Sequence, residues 1–314
     1  MSTIVIAGAA GRIGFNAARA FVAAGWTVRG IARGEKLKRL PQGVEPVEAD
    51  AFDRQAVTDA CAGADVILHA LNPTYDKWAT HVVPMAENML AAAKAADATL
   101  MLPGNVYNFG TGIGMDISED ASMPADTEKG RLRVDIEERF RAAAAEGVQT
   151  IVLRAGDYFG GPVDGSWLDL VIAKDLRRNR LVWPGRRDVP HAFAYLPDFG
   201  AAFLAVAEKR GELGRFERFH FTGHTVTGAQ FHAAMEAAVG RSLKPGSVPW
   251  PLLRIAGLFN PILREVIKMR YLWDVPHSLD GSKLAALIGT EPHTPLDEAL
   301  RQAVADLKLD GGRH

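Results

Sequence analysis

Residues 1–34, MSTIVIAGAAGRIGFNAARAFVAAGWTVRGIARG, decide the fold. The apolar run Ile4 to Ala7 opens directly into Gly8-Ala-Ala10-Gly11-Arg12-Ile13-Gly14. An Ala-rich amphipathic stretch follows to Ala24, Gly25 stops it, and a second apolar run from Trp26 to Ala32 ends at Arg33. The pattern is strand, glycine turn, helix, strand. Gly8 lets the chain turn sharply, Gly11 lets backbone approach a pyrophosphate, and Gly14 lets the helix pack on the strand. The free N–H groups at the helix start then face phosphates. The stretch therefore predicts a dinucleotide held by Gly8, Ala10, Gly11, Arg12, Ile13 and Gly14.

The end of the second strand bears on which dinucleotide. An acid there binds the ribose 2′-OH of NAD. This chain has Ala32-Arg33-Gly34 and no acid until Glu35, with Lys36, Lys38 and Arg39 behind it. Arg33 suits adenine stacking and a 2′-phosphate, and Arg12 is expected to reach the same phosphate. The reading is NADP(H).

The bulk numbers narrow the field. A chain of 314 residues with net charge −1 has no global field favouring nucleic acid or membrane. Hydrophobic content of 48% suits a globular α/β protein. The single Cys61 forms no internal disulfide and fits a reducing, cytoplasmic setting. Residues 2–7 lack the flanks of a signal peptide, and no apolar segment has the length of a membrane span.

Further along, strands are expected over 43–50, 65–71, 98–102 and 148–154, with helices over 54–62, 84–96 (Pro84 first) and 130–146. Residues 103–127 form a loop too long for a plain connection. Six strands alternating with helices predict a doubly wound parallel α/β sheet, a Rossmann fold. Beyond Gly160 the spacing turns irregular, with helices at 198–210, 228–239, 251–271 and 295–308 and a strand at 216–221. Residues 1–160 with about 190–222 are assigned to the NADP(H)-binding domain. Residues 161–189 and 223–310 are assigned to a smaller C-terminal substrate cap.

Several motifs carry a resemblance across nearly the whole chain. They are Gly8-x-x-Gly11-x-x-Gly14, Asp50, Leu68-His-Ala70, Asn105-Val106-Tyr107-Asn-Phe-Gly110, Leu153-Arg154-Ala-Gly156-Asp-Tyr-Phe-Gly160, Phe193-Ala-Tyr195-Leu-Pro-Asp198 and Leu279-Asp-Gly-Ser-Lys283-Leu. In this order they resemble the extended short-chain dehydrogenase/reductase family, which includes nucleotide-sugar epimerases and dehydratases. The resemblance implies that Asp50 binds the adenine amino group. It places Ala51, Ala70, Leu71, Asn72, Pro103 and Asn105 along the cofactor.

The chain departs from that family where the chemistry lies. The family uses a Ser or Thr on the fifth strand and a Tyr-x-x-x-Lys on the next helix. Here the Ser/Thr place falls on Pro103 or Gly104, and Lys129-Gly-Arg-Leu-Arg133 falls on the Tyr-x-x-x-Lys place. Lys129 is then a candidate acid or base, Arg133 a candidate for the cofactor ribose, and Tyr107 a candidate proton donor. Tyr158 follows the sixth strand at the sheet edge where ligands bind, and Asp157 with it. Tyr158, Trp167 and His191 are expected against the substrate, in an aromatic pocket with Trp78, Phe159, Trp183 and Trp273. Such a lining suits a small carbonyl or ring compound. No His-Glu-x-x-His or Cys/His set occurs, so no metal is expected. The Ala- and Met-rich helix with Met85, Met89 and Leu90 allows a homodimer.

Two functions from different classes remain at this point. One is an NADP(H)-dependent oxidoreductase of atypical type, with epimerase or dehydratase as a variant. The other is a non-catalytic NADP(H)-binding redox sensor, similar to the nitrogen-metabolite-repressor type, which explains the missing Ser and Tyr directly.

Overall fold

The computed structural model describes residues 2–311. In chain order the first half comprises β1 (Thr3–Ala7), α1 (Arg12–Ala23), β2 (Thr27–Ala32), β3 (Glu45–Glu48), α2 (Arg54–Cys61), β4 (Val66–His69), α3 (Trp78–Ala96), β5 (Thr99–Gly104), α4 (Glu128–Ala145) and β6 (Thr150–Arg154). Then come β7 (Asp157–Phe159), β8 (Arg180–Trp183), β9 (Pro190–Tyr195), α5 (Leu196–Glu208), β10 (Phe216–His220), β11 (His224–Thr227) and α6 (Gly228–Val239). The chain continues through β12 (Lys244–Ser247), α7 (Trp250–Gly257), α8 (Pro261–Lys268), α9 (Ser282–Ile288) and α10 (Leu296–Asp306).

Seven strands form one parallel sheet in the order β10-β6-β5-β4-β1-β2-β3. Successive residues of a strand point to opposite faces, so a sheet covered on both sides needs apolar residues at every position. β1 does this: Ile4 and Ile6 join Ala17, Phe21, Phe199 and Phe203 of α1 and α5 on one face. Val5 and Ala7 join Val57, Met89 and Phe140 of α2, α3 and α4 on the other. Ile6 pairs with Gly30 of β2 and Leu68 of β4, which fixes the register at the centre. The chain order reverses between β1 and β4, which makes the crevice beyond their C-terminal ends the switch point of the wound sheet.

A third core gathers Phe159, Leu181, Trp183, Phe193, Phe231, Trp273 and Leu300 beyond the sheet. It holds a mixed three-stranded sheet, β11-β9-β7, and the pair β12-β8. Phe159, Trp183 and Trp273, expected in a pocket wall, fill this core instead. Met89 points into the core under the sheet, with Leu90 packed against it, and Met85 is buried as well.

Two helix boundaries differ from expectation. α3 starts at Trp78 and continues through Pro84, which removes one N–H from the helix and leaves the Thr80 carbonyl without its i+4 donor. The helix expected over 251–271 is instead a hairpin. α7 ends at Gly257, and the Asn260 side chain then caps α8 by accepting from the Leu263 N–H (3.1 Å) while Pro261 opens that helix.

Candidate active site

The site begins at the glycine turn. Gly8 has φ +88°, and a Cβ there would lie 2.8 Å from the Ala70 carbonyl oxygen, so β1 and the end of β4 approach to backbone contact. α1 starts at Arg12 with Gly11 as its N-cap, no side chain capping it and no acid in its first turn. Its leading N–H groups are thus left for an anion, and the residues present fit a pyrophosphate.

At the adenosine end, Arg33 is ion-paired with Asp50 (2.5 Å), and both are well exposed. The two residues expected to bind the 2′-phosphate and the adenine amino group thus meet each other. Asp50 also accepts from the Phe52 N–H (3.0 Å). Sequence reasoning missed Glu48. The β2–β3 register sets it beside Ala32, and its carboxylate accepts from the Gly34 N–H at 3.0 Å. An acid therefore stands at the end of β2 after all, supplied by the neighbouring strand. Ala51 is buried behind Asp50, where its carbonyl accepts from Asn88 Nδ2 (2.9 Å). Arg12 stands apart from the Arg33–Asp50 pair in its bonding. It has no carboxylate partner among the described residues, and its charge acts on Tyr75 and Tyr158.

At the other end, past β4, β5 and β6, phenols and cations converge. The hydroxyls of Tyr75 and Tyr107 share a hydrogen bond of 2.8 Å. Tyr158 donates to the Gly104 carbonyl, and Arg133 reaches the Pro103 carbonyl at 3.4 Å. Burial holds all three phenols above the ordinary tyrosine range; Arg133 and Arg12 pull Tyr75 and Tyr158 down, but burial outweighs them. They are neutral donors at neutral pH. The Asp157 carboxylate pushes each of them up further, which marks it as the acid facing this group.

Arg133 is half-buried, lies over the Trp78 ring (4.9 Å) and pairs with no carboxylate among the described residues; its Nε has no partner. Burial lowers its affinity for a proton, and its charge with burial holds His69 down to about 3. A guanidinium here, unpaired and beside two strand ends, is a ready contact for a ribose or an anion.

Lys129 is almost wholly buried, not in water. It forms an ion pair with Glu265 of α8 and sits over the Tyr75 ring at 4.9 Å. Glu265 also binds Lys268 (2.6 Å). The partner lies 136 residues away, and no local pattern announces it. A cavity of about 320 Å³ opens beside this pair, bounded by Tyr75, Trp78, Leu132, Pro261 and Arg264.

His191, expected against substrate, is fully buried. Nδ1 faces the Leu272 carbonyl (3.1 Å), Nε2 faces Asp157 (2.8 Å), and the ring stacks on Trp273 at 4.1 Å. Both nitrogens face acceptor oxygens, so the His191–Asp157 contact holds one proton between them, and only Asp157 fronts the phenols. Trp167 packs edge-on against Trp273 (5.1 Å), at the margin of the third core. The Asn105 side chain accepts from the Tyr107 N–H (3.0 Å), shaping the turn that carries Tyr107. Asn72 is exposed, and Leu71 and Ala70 line the Gly8 contact. Among the described residues no group of three or more His, Cys, Asp or Glu could hold a metal ion.

Comparison with known proteins agrees with this layout. The sequence matches a family described as NAD(P)H-binding over residues 8–109. No curated protein matches it. Among solved structures, UDP-glucose-4-epimerase from Stenotrophomonas maltophila, with bound NAD and formylated UDP-arabinopyranose, superposes with TM-score 0.78 at 17% identity, covering 96% of this chain and 97% of that one. The UDP-Glc/GlcNAc 4-epimerase of Campylobacter jejuni gives 0.76 at 18%, covering 98% and 99%. WbmH of Bordetella bronchiseptica in complex with NAD+ gives 0.74 at 19%, covering 98% of each chain. The fold is thus the one these structures share, and residues 8–109 are similar to an NAD(P)H-binding family. No helix among the described residues is long and apolar enough to cross a membrane.

Proposed function

We propose that this protein is an NADP(H)-dependent oxidoreductase of atypical extended short-chain type, acting on a small carbonyl or ring substrate. The convergence of Tyr75, Tyr107, Tyr158, Asp157 and Arg133 past the ends of β4, β5 and β6 carries this reading. When bound, reduced nicotinamide supplies a hydride to a carbonyl carbon. The protein must then deliver one proton to the carbonyl oxygen. Tyr107 is a neutral phenol suited to donate it, and its bond to Tyr75 offers a path for reprotonation. Lys129 over the Tyr75 ring and the unpaired Arg133 stabilise the negative charge left behind. Arg133 also takes the place that a ribose-binding Lys has in the resembled family.

A panel of aldehydes, ketones and enones with NADPH tests the reading. Some member should be reduced, and Lys129→Met should lower kcat at least about a hundredfold with NADPH affinity retained. One observation favours the second reading, a redox sensor: Lys129 shares its charge with Glu265, which weakens its hold on a developing anion. No turnover with any member, together with unaltered NADPH affinity in Lys129→Met, would leave the sensor reading standing.

The choice of NADP(H) rests on Arg33 outweighing Glu48. Arg33→Asp is expected to weaken NADPH binding at least about tenfold more than NADH binding, the loss of one charge-assisted phosphate contact. Calorimetric titration of both coenzymes measures it. Equal losses would overturn the 2′-phosphate role of Arg33.

A further inference from the structure

Five of the eight exposed large apolar side chains among the described residues lie on the α7–α8 hairpin: Leu252, Ile255, Leu258, Phe259 and Ile262. Phe259 at the turn is 86% exposed and Leu258 is 73% exposed. The hairpin is held in place from its inner side. The Trp250 indole donates to the Pro184 carbonyl (2.6 Å), Gly257 meets Ile267 across the two helices, and Glu265 pairs with Lys129 and Lys268. The outer side is therefore a preformed crest with no protein against it.

The charges beside the crest are one-sided. Arg254 and Arg264 are exposed beside it and pair with no carboxylate among the described residues, while the exposed Lys268 is paired with Glu265 and Glu128. The one acid between 250 and 270, Glu265, is turned inward into its ion pairs. A chain of net charge −1 thus concentrates cations where it also concentrates exposed apolar surface. A second copy meeting the same crest across a two-fold axis would bring these cations against themselves. A projecting apolar tip flanked by the guanidinium groups of Arg254 and Arg264 instead complements a surface that is apolar within and anionic at its face.

We propose that the α7–α8 hairpin docks this protein on an anionic lipid surface, with Leu258 and Phe259 entering the acyl boundary and Arg254 and Arg264 on the headgroups. The expectation of no membrane contact drew on net charge and on the lack of a long apolar span, and neither property registers a local crest. The docking is independent of the reaction, although the same hairpin closes over Lys129.

The test is flotation of the full-length protein with phosphatidylcholine vesicles made with and without phosphatidylglycerol. The protein should float with the anionic vesicles only and be released by high salt. Leu258→Ser with Phe259→Ser, and separately Arg254→Glu with Arg264→Glu, should each lower binding more than about tenfold, since each pair removes one of the two required signals. All four positions are exposed, so circular dichroism and urea unfolding should match the parent. No flotation with anionic vesicles overturns the proposal, as does binding that survives both double variants. A dimer in sedimentation velocity that Leu258→Ser/Phe259→Ser dissociates would assign the crest to a second copy and equally overturn it.

Discussion

Glu137→Ala should destabilise the fold by about 3–5 kcal/mol, the usual loss when one partner of a buried ion pair is removed. Glu137 and Arg154 are each about 1% exposed. The carboxylate accepts twice from Arg154 Nη2, at 2.8 and 2.7 Å, and once from Asn108 Nδ2 at 3.0 Å. The guanidinium also donates to the Asn105 carbonyl and to His220 Nε2 (3.2 Å), and it lies over the Phe109 ring at 5.0 Å. Removing the acid leaves a buried cation with only neutral partners. Against a total of about 5–15 kcal/mol for a typical domain, that loss is decisive. Urea unfolding at pH 7 measures it. Replacing both partners, Glu137→Leu with Arg154→Met, should recover most of the loss, because no buried charge then remains unpaired. A single-variant effect below about 1 kcal/mol would contradict the buried pairing. Arg154 also tethers the Asn105 carbonyl, so the same variant should loosen the turn that presents Tyr107.

This network shows what the sequence exposes and what it hides. The wound sheet was legible because β1, β4 and β6 are continuous apolar runs separated by glycine turns and amphipathic helices, which are local patterns. The glycine turn was legible for the same reason. Asp157, Tyr158 and Tyr107 could be placed at the sheet edge because topology alone sends strand ends there. The pairing of Lys129 with Glu265 was not legible, since two surface-type residues 136 positions apart carry no periodicity in common. Glu48 escaped because its position beside Ala32 depends on the register of two parallel strands joined by a helical turn and loop. The aromatic residues were read as pocket walls because composition gives no direction. Trp183 and Trp273 face a core that exists only once β7, β9 and β11 assemble. The Asn260-Pro261 cap is a different case. Its N-cap and N1 signals were present in the sequence, within an apolar stretch whose length suggested one helix.

Acid should unfold this protein from pH values where most carboxylates are still ionised. His69, His220 and His277 are buried, and burial holds each down to about 3; His224 is held at about 4. His220 shows the physical reason. Nδ1 faces the Ile117 carbonyl at 2.8 Å and so must donate, and Nε2 accepts from the Arg154 Nε–H at 3.2 Å. A second proton would land against that N–H and add a charge beside a guanidinium. The sign follows directly. An unfolded chain protonates these rings near the ordinary histidine value of 6.5, while the folded chain does not until pH 3–4. Their contribution is complete above 6.5 and is lost as pH falls through the window below it. Each proton taken up on unfolding adds about 1.4 kcal/mol per pH unit, so four give a slope of up to about 5 kcal/mol per unit. Glu119 and Glu291 act in the opposite direction, because burial raises both and the folded chain then binds their protons first, but they are two groups against four. Between pH 6 and 5 the histidines therefore dominate, and a fold of ordinary stability should be lost before pH 4. Urea unfolding at half-unit steps from pH 7.5 to about 5 gives the slope directly. His220→Gln, whose amide keeps an acceptor for Arg154, should flatten that slope by one proton even though it lowers stability at pH 7. A slope of less than one proton between pH 6.5 and 5 would mean that these rings are hydrated and titrate normally. The neutral His220 between Ile117 and Arg154 would then fail along with the acid lability.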